Sequence, residues 1–407
     1  MSTRTFRKLL ALAGALPLLL MACGGAAQGG QGASSKPILI GGTLGLTGAY
    51  AGPSAEYKAV YDYWAQQVNA HGGLLGRKVK MDIYNDESTP TTAQTLYNRL
   101  INSDHVDLLL APYTTAVGGA IVPIALSHHM VLFNGGFVGI KIFDSADGWM
   151  VGSYTYQEPD YTRGIFELIK TLPADQRPTR VAILTAQNPF TVVDHDGSGR
   201  QDGALNYARQ AGMQVVLDEQ YPMTTTDFSG LVQRAKAAGA DLFLALGLPN
   251  DSLQIARTVN QVGYKPKIYC TCGSQMTTLP AWGQLGAAGN GVMGTTISWP
   301  NQGYQGLADL STFFQKRGYH DIPAYGVVSY AILQVLQQAV EGAKTLDQAK
   351  LRAYLLSHTF HTAAGNIRYQ SNGTPRYSEI ILQYQDGRNQ VVWPSQYATA
   401  RPVIPLP

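Results

Sequence analysis

Residues 38–84 read ILIGGTLGLTGAYAGPSAEYKAVYDYWAQQVNAHGGLLGRKVKMDIY, and the order of patterns within them decides the fold. Ile38-Leu39-Ile40 is a short apolar run of strand character. Tyr57, Val60, Tyr61, Trp64 and Val68 then recur at the three-and-four spacing of one helix face, and 79–84 return to strand. Gly72-Gly73 stops the helix, since glycine enters the left-handed conformation that ends helices at little cost. A strand, a helix and a second strand joined at these lengths make a right-handed crossover, which sets the two strands parallel.

The alternation continues outward. Leu96 and Leu100 mark a second helix, followed by apolar runs at 106–110, 121–125 and 130–133. After Gly152 the series starts afresh, with helices expected at 161–172, 201–211, 228–238 and 252–262, and strands at 180–184, 214–217, 241–245 and 266–269. About 370 residues follow Ser35, more than one core usually holds. The pattern therefore predicts an α/β protein of two Rossmann-like lobes, each a parallel sheet covered on both faces, with a cleft between them. A later helix carrying Val328, Ile332, Val335 and Ala339 on one face is assigned back to the first lobe.

Arg4, Arg7 and Lys8 precede an apolar stretch at 9–20, too short to span a bilayer, which needs about 20 apolar residues. Leu20-Met21-Ala22-Cys23 resembles the lipobox of bacterial lipoproteins, which implies a signal peptide at 1–22, lipidation of Cys23 and a membrane anchor. Residues 23–35, nearly all Gly, Ala, Gln and Ser, form a flexible tether. The three cationic residues before Cys23 account for the whole formal charge of +3, so the chain beyond them is neutral overall and nothing in it suggests nucleic acid, which needs a basic face. Only Cys270 and Cys272 remain as cysteines, too few for a disulfide framework. A bridge or a ligand pair is possible at that spacing, and the reading adopted is two small residues at a strand end.

Gly42, Gly45 and Gly48 follow a strand, as in a dinucleotide loop, but the acidic residue that should end the next strand about 20 positions on is here Asp86, some 38 residues after Gly48. A different set of segments runs through the chain in order. It comprises 40–50 (IGGTLGLTGAY), 69–79 (NAHGGLLGRKV), Asn85-Asp86-Glu87-Ser88, Ala111-Pro112-Tyr113-Thr114-Thr115, 362–367 (TAAGNI) and Val391-Val392-Trp393-Pro394. Together they resemble the type I periplasmic binding proteins of branched-chain amino acid and amide ABC importers, over nearly all of the chain beyond the tether. The resemblance implies two lobes joined by three crossings, placed near Tyr154, Ile297 and Gly365. Lobe 1 is then 36–154 with 298–364, lobe 2 is 155–297 with 365–395, and 396–407 is a C-terminal tail.

Site residues follow from the same positions. Thr114 and Thr115 stand between a strand and a helix expected near Gly118, where hydroxyls and free amides converge on an anion. The resemblance gives them the ligand carboxylate. It places Tyr50 at the cleft mouth and Phe190 and Tyr325 as aromatic lids. Asn134 and Gly135 fall in the second contact loop, where relatives carry Ser-Ala-Thr, with the glycines taken to leave room for a bulkier ligand. Glu158 is the candidate partner of a ligand ammonium, because an unpaired buried cation is costly.

Asp194-His195-Asp196-Gly197 is read as a turn because its glycine misses the calcium-loop position and no Glu closes it. No nucleophile, P-loop or zinc motif is present, so no catalysis, metal or cofactor is expected. The expected function is capture of a small polar molecule by a monomer outside the cytoplasm, with ABC permease subunits as partners. An amino acid is preferred over an amide, urea-type or aromatic acid ligand, and a ligand sensor of the same fold is the rival.

Overall fold

The computed structural model describes residues 36–272, 276–278, 280–375 and 379–407. The expected signal peptide, Cys23 and tether lie outside the described residues. β1 (Ile38–Leu44) runs parallel to β2 (Val79–Asn85) in register from Ile38 opposite Val79 to Leu44 opposite Asn85. α1 (Ala51–Ala70) connects them and buries the expected face of Tyr57, Val60, Tyr61, Trp64 and Val68. Gly73 at φ +81° must be glycine, because a Cβ there would lie 1.8 Å from the Arg77 carbonyl oxygen.

Next come α2 (Pro90–Asn102), β3 (Leu108–Leu110), α3 (Thr115–Ser127), β4 (Leu132–Asn134), α4 (Ile140–Ala146) and β5 (Met150–Gly152). The five strands form one parallel sheet in the order β2-β1-β3-β4-β5. α3 starts at Thr115, three residues ahead of the expected Gly118, because Thr114 caps it by accepting a hydrogen bond from the Ala116 N–H.

The second series is α5 (Arg163–Thr171), β6 (Arg180–Ala186), α6 (Pro189–Asp196), α7 (Ala204–Gln210), β7 (Gln214–Tyr221), α8 (Ser229–Ala237), β8 (Leu242–Leu246), α9 (Pro249–Gln261) and β9 (Ile268–Cys270). It continues with α10 (Pro280–Gly283), β10 (Met293–Thr296), α11 (Leu307–Gln315), α12 (Ala324–Ala343), α13 (Gln348–Ser357), β11 (Thr359–Thr362), β12 (Gly365–Arg368), β13 (Ile380–Gln385) and β14 (Arg388–Trp393). The second sheet has seven strands in the order β14-β13-β10-β9-β8-β6-β7. Its parallel body carries an antiparallel edge, since β13 pairs antiparallel with both β10 and β14. The result is the expected two-lobed α/β architecture.

α12 packs on α1 and β4. Trp64 Nε1 donates to Gln337 Oε1 at 3.3 Å, Ser153 Oγ donates to the Val328 carbonyl at 2.7 Å, and Val328, Ile332, Val335 and Ala339 are fully buried. The chain leaves the first sheet after β5 and returns after β10. Its third crossing differs from the one expected near Gly365. β12 still pairs with β11, the Gly152 N–H donates to the Gly373 carbonyl, and Asn372 Nδ2 donates to Asp144 Oδ1, so 365–375 stay with the first sheet, whereas Glu379 accepts the Gly164 N–H and β13 joins the second.

Two local readings are also corrected. Cys270 and Cys272 are joined by a disulfide, with Cα atoms 5.2 Å apart, in the apolar core of the second sheet. The segment 194–197 is the last turn of α6, ended by Gly197 at φ +69°.

Candidate ligand-binding cleft

The loops that leave the carboxyl ends of β3, β4, β5, β6 and β8 converge on one cavity of about 40 Å³. Parallel α/β sheets place ligands at these strand ends, where helices begin. From the first sheet come Tyr113, Thr114 and Thr115 after β3, Gly136 to Val138 after β4, and Tyr154 after β5, joined by Tyr325 from the first turn of α12. The second side supplies Tyr161, Asn188, Phe190, Leu248 and Pro249.

Thr114 Oγ1 accepts the Ala116 N–H at 3.3 Å and donates to no described group, so its proton is free for a ligand. Thr115 Oγ1 donates to the Val138 carbonyl at 2.9 Å, which ties the two contact loops together and leaves its lone pairs, not its proton, exposed. The Tyr113 hydroxyl donates to the Tyr325 hydroxyl at 3.3 Å, and the Tyr161 and Phe190 rings meet edge to face at 4.8 Å between centroids. Asn188 Oδ1 caps α6 by accepting from the Phe190 N–H at 3.0 Å, fixing that ring at the cavity wall.

None of the lining residues is Asp, Glu, Lys, Arg or His. Burial pushes the phenols of Tyr113, Tyr154, Tyr161 and Tyr325 upward, so each keeps its proton at neutral pH. The cavity thus combines hydroxyl donors and the positive end of the α3 dipole with aromatic walls, an arrangement suited to an anionic group on an apolar body.

Residues 37–388 match the family described as periplasmic binding protein. The chain belongs to the periplasmic binding protein family. A relative in Brucella abortus (strain 2308), Leu/Ile/Val-binding protein homolog 7, is 23% identical over 398 residues, covering 93% of this chain and 97% of the relative. Among solved structures, a leucine-binding protein from Thermotoga maritima superposes with a TM-score of 0.74 at 17% identity, over 87% of this chain and 97% of that one. A solute-binding protein of an ABC transporter from R. palustris, in complex with benzoate, gives 0.73 at 16% identity, over 88% and 96%.

In this periplasmic binding protein the remaining sequence candidates lie off the cavity wall. Asn134 is buried behind it, where Nδ2 donates to the Phe137 carbonyl while Oδ1 accepts from the Gly136 and Phe137 N–H groups. Its donor and acceptor are spent on shaping its own loop. Gly135 offers its carbonyl to the Tyr57 hydroxyl at 2.7 Å, and a Cβ on Gly136 would lie 2.1 Å from the Pro112 carbonyl oxygen. The two glycines therefore allow close packing of the loops, and Gly136 brings its backbone to the cavity wall.

Glu158 does not line the cavity. Its Oε2 accepts the Ile140 N–H at 3.0 Å, and burial raises its carboxyl to about 7. Together with Gln157, which accepts from the Gly139 N–H, it ties the first crossing to the start of α4. Tyr50 meets the Tyr113 ring edge on at 5.6 Å and lines an adjoining hollow with Met223, Leu248 and Pro249.

Sequence reading missed Tyr113, Phe137, Tyr154 and Tyr161 as wall residues, together with Leu248 and Pro249. The available signal was the tyrosine content, 23 of 407 residues, with Tyr113, Tyr154 and Tyr156 just beyond strand ends.

Proposed function

We propose that this chain is the extracytoplasmic solute-binding component of an ABC importer, closing its lobes on a small carboxylic acid, an amino acid first among them. The observation that carries the reading is the cavity walled from both sheets, with the free Thr114 hydroxyl and the start of α3 at one side. The Brucella and Thermotoga relatives, named for Leu/Ile/Val and leucine, support an amino acid. Closure requires only that ligand bind the closed form better than the open one. The lipobox-like Leu20-Met21-Ala22-Cys23 supports tethering through Cys23, which holds the monomer near the permease that receives the ligand.

An aromatic acid is the second reading. It is favoured by the aromatic, charge-free lining and by the benzoate held in the R. palustris structure.

A thermal-shift screen of residues 36–407 against amino acids, amides, ureas and aromatic acids tests the proposal, because a ligand of the native state raises the melting temperature. A shift of several degrees with one class is expected. A cooperatively melting chain that responds to none would remove the importer reading.

A further inference from the structure

We propose that the cavity is an aromatic cage for a methylated ammonium group, so that the ligand is a short zwitterion with a quaternary nitrogen at one end and a carboxylate at the other. This deepens the importer reading, on which it rests, by naming the substrate class.

Six aromatic side chains wall the cavity: Tyr113, Phe137, Tyr154 and Tyr325 from the first lobe, Tyr161 and Phe190 from the second. Neighbouring rings stand close, with centroids 5.3 Å apart for Tyr113 and Tyr325 and 4.8 Å for Tyr161 and Phe190. Aromatic faces carry negative charge density and attract cations most strongly where water is excluded, and closure brings both halves of such a wall together.

The wall offers a primary ammonium only neutral acceptors, such as the Thr115 hydroxyl, and no charged one. No carboxylate lines it; Asn188 Oδ1 is taken by the Phe190 N–H, and Glu158 Oε2 by the Ile140 N–H. Glu56, the buried carboxyl beside Tyr57, also stays off the wall. A primary ammonium would bury three N–H donors with few partners, at a cost for each. A quaternary ammonium has no N–H, so only its charge needs compensation, and the rings supply that. The Thr114 hydroxyl and the first turn of α3, on the same wall beside Tyr113, take the carboxylate. A benzoate-like acid would use that anion seat but bring no cation to the rings.

Isothermal titration calorimetry on the full-length chain in detergent, with N,N,N-trimethylglycine, its uncharged-carbon isostere 3,3-dimethylbutanoate, leucine and benzoate, separates these cases. Trimethylglycine is expected to bind at least about tenfold more tightly than the isostere, the factor that a desolvated cation–π contact supplies. Tyr161→Leu should cost trimethylglycine about tenfold, while Tyr161→Phe, which keeps the ring, stays within about threefold. Equal binding of trimethylglycine and the isostere would overturn the cage, since the wall would then be merely apolar. Binding of leucine or benzoate without trimethylglycine overturns the cage and leaves the importer reading standing. Binding of none of the four overturns both.

Discussion

Thr114 and Glu158 were expected to serve opposite ends of one ligand, and their surroundings now separate them. Thr114 caps α3 through a lone pair and keeps its proton for the cavity. Thr114→Val should weaken binding of a carboxylate ligand by about tenfold or more, the value of a hydrogen bond to a charged group. It should also lower stability by about 1 kcal/mol through the lost cap. Calorimetry and a melting curve read the two effects separately. Glu158→Gln keeps an acceptor for the Ile140 N–H, so ligand affinity should stay within about twofold; a tenfold loss would return Glu158 to the site. Thr114 and Thr115 could be singled out in the sequence because they stand between a strand and a helix, whereas Phe190 and Tyr325 rested on the family resemblance; all four line the cavity. Asn134 and Gly135 sit in an equally marked loop, but the Asn134 amide is spent on its own loop and a Cβ on Gly135 would meet Ile332 and Val328, neighbours that only the fold brings near.

At the scale of elements, α1 and α12 pack against each other on the first lobe. Trp64 is 2% exposed between them, with its indole N–H on Gln337. Trp64→Ala should cost about 3–5 kcal/mol in a urea titration, from lost burial and the cavity left behind. A loss below about 1 kcal/mol would mean that the two helices can close the gap. The period of α1 was readable because its buried stripe is unbroken from Tyr57 to Val68. β13 and β14 were harder to place in the sheet. A short buried edge strand gives an apolar run without direction, and nothing local states that β13 runs against β10. α6 was missed because it lasts only from Pro189 to Asp196 and carries Asp194 and His195 on a buried side, against the usual polarity of a helix face.

For the molecule as a whole, buried carboxyls set the pH response. Burial raises Glu56 from 4.5 to about 8 and Glu158 from 4.5 to about 7. The folded state therefore keeps protons that the unfolded chain has already lost above its ordinary carboxylate range. The stability tied to these groups is complete below about pH 4.5 and is lost as pH rises through about 7 to about 8. Urea midpoints should fall between pH 5.5 and pH 8.5, and Glu56→Gln should flatten that fall. A wild-type midpoint that rises over the same interval would show that Glu56 is ionised in the native state.

The late position of the second sheet's edge bears on how such a chain could be exported. The first lobe lacks α12 until residue 343 has emerged, and the seven-stranded sheet lacks its last pair until residue 393. A chain emerging N-terminus first would thus have all five strands of its first sheet by residue 152 but not the α12 cover, and would carry an unfinished second sheet until near its end. Completion of both cores therefore waits on segments from the last quarter of the chain.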